Sequence, residues 1–551
     1  MNSYSKIKSQ GNAAALLMMA ATVVTMPKLE AVNPPPDAGR ILQELQDRRA
    51  QPPASDNLDI LPAPDADKEP LTEDGPSIRI NTVTFNGNTI FSDAELTLLL
   101  QPALGNEFKL SGLLAMAETV SLYYRSNGYP FARALLPPQE VSGGILKIEI
   151  LEGRYGKVRA TSEHPKLAQL GKDFLSPLKP GTVIESDLLE RQSLLLNDLP
   201  GISTIPVIRP GANVGEGDFE VTIHATRVWD ASVGFDNHGN RYTGEYRATT
   251  SASYYHLYTP GDRVSGTFLY TNEDLWLGRI GYDMPIGSDG LRGHLSYART
   301  DYDLGYGFDG FTGLADVATI GISYPMLRSQ QSNAILIART QYKNLNDKLL
   351  DVSFQRKDSY SGTIGIEYDH RDNLFPSLGR GMTFGSLYLT AGSIESDDAG
   401  VNTGGFAKLH GDISRLQSLP GNFSWFTNID FQIASGGNLD SSESMLLGGA
   451  NSVRAYPQGE AASKAGIRLQ NELRYSMKYA SPYVFYDIGY LTSEGTNSSR
   501  TLSGAGFGVR VDINRFYLDA SVASRISGGD SRVETNRQRD VRGWVTAGYR
   551  F

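Results

Sequence analysis

From residue 229 to the C-terminus the chain is a succession of alternating runs, about eight to twelve residues each, separated by clusters of Gly, Asp and Asn. In one run Trp425, Thr427, Ile429, Phe431 and Ile433 alternate with Phe426, Asn428, Asp430 and Gln432. Near the end, Phe507, Val509, Val511 and Ile513 oppose Arg510, Asp512 and Asn514, and Phe516, Leu518, Ala520 and Val522 oppose Tyr517, Asp519 and Ser521. Successive side chains on a strand point to opposite faces, so each run presents one apolar and one polar face. Two architectures satisfy such a pattern. A soluble β-sandwich buries the apolar faces against each other; a transmembrane antiparallel β-barrel turns them to lipid and keeps its charges inside. In lipid the sheet must close, because an open edge leaves backbone groups unpaired. The 58 glycines, 28 tyrosines and 4 tryptophans fit a chain rich in turns and interfacial rings, and the barrel is the preferred reading.

One stretch breaks the rhythm. Residues 446–461, LLGGANSVRAYPQGEA, are glycine-rich, lack a periodic pattern and carry a single cation, Arg454. Long loops between such strands usually have a task. The following run places Arg468, Gln470, Glu472 and Arg474 on one face, and the next puts Phe485, Asp487 and Gly489 opposite Val484, Tyr486, Ile488 and Tyr490. If the even positions meet lipid, Asp487 points inward and can receive Arg454 from a loop folded into the barrel. The other reading is a surface loop with a solvated arginine and an aspartate facing a wet lumen.

The N-terminal two-fifths has a different texture. Residues 1–31 read as a secretory signal: Lys6 and Lys8 precede an apolar run too short to span a bilayer comfortably, and an N-terminal membrane anchor is the alternative. Residues 32–50 contain a short amphipathic helix with Asp37 as its cap and Ile41, Leu42 and Leu45 on one face. Such a helix is marginal alone and must pack on something. Residues 51–77, rich in Pro, Asp and Ala, read as a linker. Residues 78–153 combine short strands with two helices, the first opened by a Ser92–Glu95 capping box and the second ended by Asn127-Gly128. The order recurs over 154–227, giving two small α+β domains.

These residues resemble the outer-membrane transporters of two-partner secretion, the hemolysin and filamentous-hemagglutinin type, within the superfamily of POTRA-bearing barrels. Phe85-Asn86-Gly87-Asn88-Thr89, Asn127-Gly128-Tyr129 and Leu136-Pro137-Pro138-Gln139 resemble the family's first POTRA domain; Leu196-Asn197-Asp198-Leu199-Pro200-Gly201 resembles its second. Gly234-Phe235-Asp236-Asn237 and Thr243-Gly244 resemble its first barrel strands. Val453-Arg454-Ala455-Tyr456 is similar to the family's VRGY-type loop motif, with Ala455 where glycine is commoner, and Phe485-Tyr486-Asp487-Ile488-Gly489 is similar to the F-x-D-x-G motif of the barrel wall. The resemblance implies a monomeric barrel of about sixteen strands in outer-membrane lipid over residues 228–551, with the 446–461 loop folded inward. It implies POTRA domains in the periplasm, an Arg454–Asp487 pair in the lumen and a plug helix in the pore. The implied partner is a large secreted exoprotein, adhesin or hemolysin, captured by the POTRA domains and threaded out unfolded without nucleotide hydrolysis. An assembly or insertion factor of the same superfamily is the alternative.

Other functions find less support. A net charge of −10 argues against nucleic-acid binding, and the absence of cysteine excludes thiolate catalysis and disulfides. The seven histidines show no convincing serine–acid partner or metal-ligand spacing; His164, His224 and His410 read as ordinary polar positions. The glycines of 504–508 open a strand, not a helix, and make no dinucleotide loop. No catalytic residue, cofactor or metal is expected.

Overall fold

A computed structural model describes residues 36–47, 49–53, 76–398, 401, 403–435, 439–493 and 498–551. The expected signal segment and most of the linker lie outside these residues. Sixteen antiparallel strands among the described residues form a closed barrel, from Trp229–Asp236 through to Val541–Arg550. The last strand pairs with the first, Ala547 opposite Phe235 and Tyr549 opposite Val233, so no edge remains. Thr243 and Gly244 fall in the first loop and not on a strand, because the first strand already ends at Asp236.

Alternation decides which way each strand faces. Phe235, Ile320, Ile433, Val484 and Phe507 are exposed on the outer wall, whereas Lys343, Lys357, Arg468, Glu472 and Asp487 are buried inside. Buried lysine and glutamate are tolerable only when paired, and the lumen supplies partners for each of these charges.

Two small α/β units precede the barrel. In the first, Ile145–Leu151 is the central strand, parallel to Thr82–Asn86 and antiparallel to Arg133–Leu135. Its inward residues Leu146, Ile148 and Ile150 pack under the helices Asp93–Leu100 and Leu110–Ser126, which contribute Leu96, Leu113, Val120 and Tyr124. Ser92 and Glu95 form the capping box, and Gly128 ends the second helix at φ +92°, where a side chain would be strained. The second unit repeats the plan, with Glu216–Ala225 central between Arg154–Ser162 and Ile202–Pro210.

Glu152 sits at the joint. It accepts hydrogen bonds from the amides of Thr89 and Ile90, from the Tyr124 hydroxyl at 3.2 Å and from Arg154 Nη2 at 2.9 Å. Burial alone pushes this carboxyl up, but these donors outweigh it and hold it below the ordinary glutamate value. Arg154 also donates to the Gly181 carbonyl of the second unit at 3.1 Å, tying the two units together. The second unit meets the barrel through Asp198, which receives Arg328 through two hydrogen bonds of 2.6 and 2.7 Å.

Candidate functional site

Residues 439–463, between the strands Phe423–Ser435 and Gly466–Tyr475, form a loop that lies inside the barrel. Its neck is a two-strand ladder, Met445–Leu447 against Ala461–Ser463, and Gly448 and Gly449 at φ +93° and +112° turn the chain beyond it. At its tip Arg454 uses nearly every polar atom it has. Its Nε and Nη2 donate to the two oxygens of Asp487 at 2.8 and 2.7 Å, its amide also donates to Asp487, and Nη1 donates to Glu472 at 2.7 Å. The guanidinium lies 3.4 Å from the Phe485 ring centroid, and the Arg454 carbonyl accepts from Trp544 Nε1 at 2.7 Å. The bidentate fork fixes orientation as well as distance, and the ring face adds a cation–π contact. Arg454 is 1% exposed and Asp487 0%, so the pair is out of water. In that setting, removing one partner costs ~3–5 kcal/mol.

The neighbours of the arginine hold the tip against the wall. Val453, Ala455 and Tyr456 are buried, and the Tyr456 hydroxyl contacts the carbonyls of Ser527 and Gly529 at 2.8 and 3.0 Å. Ala455 is not at positive φ, so the alanine fits without backbone strain. Its methyl rests where the wall offers Gly504: a Cβ there would come within 2.3 Å of it. Gly489 has the same use, since a Cβ there would lie 2.7 Å from Leu447 of the loop neck. The two wall glycines are the sockets into which the loop settles.

The inward charges expected from the sequence lie around this lock. Glu472 receives Arg454, Arg474 Nη2 at 2.8 Å, Arg510 Nη2 at 3.0 Å, and Arg49 from the N-terminal segment. Arg474 also lies over the Phe426 ring, while Arg468 stands apart between Asp47 and Asp430 at 3.5 and 3.4 Å. Glu472 as second acceptor for Arg454 was not evident from the sequence; alternation places it on the inner face but does not say which cation reaches it.

The helix Ala38–Gln46 lies in the lumen. Ile41 and Leu42 are buried, with Leu45 beside them, against a patch of the inner wall formed by Leu275, Tyr302, Val317 and Leu345. Asp37 caps the helix by accepting from the Arg40 amide at 2.9 Å, and its other oxygen receives Lys357 at 2.9 Å and Ser441 at 2.7 Å. Lys357 also donates to Asp440 at 2.9 Å, so one wall lysine holds both the helix and the root of the inward loop. Lys343 and Lys408 hold Glu443 beside it at 2.6 and 2.8 Å. Gly39 permits the close approach, because a Cβ would meet Ser441 Oγ at 2.4 Å. No local pattern marks these three lysines, since their partners lie 35 to 320 positions away.

The expectation that no histidine has a serine–acid partner is corrected. His294 Nδ1 is 2.6 Å from Asp283, and its Nε2 is 2.7 Å from Ser323 Oγ. Three neighbouring strands bring together residues that are far apart in sequence. Arg263 donates twice to the same aspartate, at 2.6 and 3.0 Å, which offsets the negative charge needed to stabilise an imidazolium. The set is a brace of the wall. His164 and His224 are exposed, and His410 stacks on Tyr388.

Known proteins resemble this chain in sequence and in fold. The ShlB-type POTRA domain model matches residues 78–153. The heme/hemopexin transporter protein HuxB of Haemophilus influenzae strain 86-028NP is 28% identical over 526 residues, covering 89% of this chain and 91% of HuxB. The outer membrane transporter CdiB of Escherichia coli O6:K15:H31 is 27% identical over 513 residues, covering 85% and 82%. The solved structure of CdiB from Escherichia coli superposes with a TM-score of 0.71 at 22% identity, over 90% of this chain and 94% of that one, and so shares its fold. The family model for haemolysin secretion/activation proteins ShlB/FhaC/HecB matches residues 215–511, more than half of the sequence, and the chain belongs to that family of outer-membrane secretion proteins.

Proposed function

We propose that this barrel carries one large secreted polypeptide, unfolded, from the periplasm to the cell surface, with the two α/β units capturing it first. One observation carries the reading. Among the described residues no backbone-to-backbone hydrogen bond joins the helix Ala38–Gln46 to the barrel wall, so the helix can leave without unzipping a strand. It is a removable stopper, and the lumen it vacates is sealed from lipid and lined by charges around one apolar patch. The names of HuxB, a heme/hemopexin transporter, and CdiB, an outer membrane transporter, support passage through the barrel as its task. The three-stranded sheets of both units have open edges, and extended polypeptide can add to a sheet edge through main-chain hydrogen bonds whatever its sequence. The Arg454 lock keeps the loop in one conformation while the chain passes; it has no catalytic part in this scheme.

The test is deletion of the gene for this chain in its own bacterium. The large secreted protein disappears from the medium and collects in the periplasm, while resident outer-membrane proteins keep their levels. General loss of barrel proteins from the outer membrane instead would favour the assembly-factor reading.

A further inference from the structure

The lumen holds a second piece of the chain beyond the helix. Residues Arg49, Ala50, Gln51 and Pro52 line a cavity of about 520 Å³ that is walled by Arg474, Arg510, Tyr517, Asp519, Trp544 and Arg550. Apart from Trp544, which lies deeper in the barrel, these wall residues come from strand ends near the turns 476–479 and 514–515 and the C-terminus, at the end where the α/β units attach. Tyr483 and Tyr517 each carry a guanidinium on their faces, Arg510 at 4.3 Å and Arg550 at 4.8 Å from the ring centroids. Flat rings and forked donors are the groups that hold extended backbone, through stacking and through hydrogen bonds to carbonyls.

The resident segment fits imperfectly. Arg49 is the fourth guanidinium on Glu472, after Arg454, Arg474 and Arg510. Like charges crowded in a site of low dielectric repel strongly. A segment with no basic side chain would take the same place without that repulsion.

We propose that this cavity, together with the place that residues 49–52 take along its side, is a binding site for an extended, non-basic segment of the exported polypeptide, and that residues 49–52 hold part of that site at rest as a substrate mimic. The proposal rests on the lumen being the polypeptide's route. Displacement of residues 49–52 at the domain end would then pull on the helix Ala38–Gln46, so entry of the exported chain and release of the stopper become one event.

The experiment uses the full chain with one benzophenone amino acid as the probe. It is placed at Tyr517, or at Val522, exposed on the outer face, as control, in proteoliposomes. Irradiated at rest, the Tyr517 probe should join residues 49–53. With a long unstructured Gly/Ser/Asn/Thr polypeptide added on the domain side, that internal product should fall at least severalfold and an adduct with the polypeptide should replace it. A Lys-containing version should label less, and the Val522 probe should label neither. Blockade of ion current by the same polypeptide is recorded in parallel. Blockade without a Tyr517 adduct, or equal labelling by the basic version, overturns the site and leaves the export reading standing. Absence of any blockade overturns the lumen as a route, and the site with it.

Discussion

Truncating Arg454 to alanine leaves Asp487 buried with no cation of its own, and the cost of ~3–5 kcal/mol falls on the inward conformation of the loop. Ser452, two residues earlier, is fully buried, and its carbonyl accepts from Gln470 at 2.8 Å. In an Arg454→Ala background, a Ser452→Cys variant should react with a membrane-impermeant maleimide at least tenfold faster than it does with Arg454 present. Unchanged reactivity would show that the loop is held by something else. Glu152 gives a pH prediction. A carboxyl held below its ordinary value contributes stability that is fully present above about pH 4.3 and is lost as the pH falls through the depressed value. Hydrogen-exchange protection in the helix Leu110–Ser126, corrected for the intrinsic rate, should therefore decline on acidification below that range. In Glu152→Gln protection should be lower at neutral pH and nearly flat across the same window.

Lys357 joins three separate elements: the lumen helix through Asp37, the loop root through Asp440, and its own strand Val352–Asp372. Replacing it with methionine leaves two carboxylates facing an apolar side chain. If only ~3 kcal/mol of that strain is relieved by departure of the helix, the stoppered population falls roughly a hundredfold. Planar-bilayer recordings of Lys357→Met should then show steady conductance near that of a variant lacking residues 37–50, against brief openings in the wild type. These elements also mark how far the sequence reaches. The strands, the two α/β units and the inner position of Asp487 were legible because alternation and capping are local signals. The partners of Lys357, the part of Glu472 as second acceptor for Arg454 and the Asp283–His294–Ser323 brace were not. They depend on register among sixteen strands, and no local pattern records register around a barrel. The Arg454–Asp487 pairing was available only as one of two readings until the resemblance to the transporter motifs favoured it.

The barrel, the folded-in loop and the lumen helix make a single closed device. The wall is continuous because its last strand meets its first, and the lumen holds the helix, residues 49–52 and the inward loop, anchored on side chains whose charges face inward. Such a structure can open without losing its wall, which export requires. Secretion by cells carrying Arg454→Ala, scored against the amount of folded barrel in the outer membrane, puts this to proof. The expected outcome is a wild-type level of inserted barrel with the secreted protein absent from the medium and retained in the periplasm. Normal release of that protein by the variant would contradict the lock as a requirement for export.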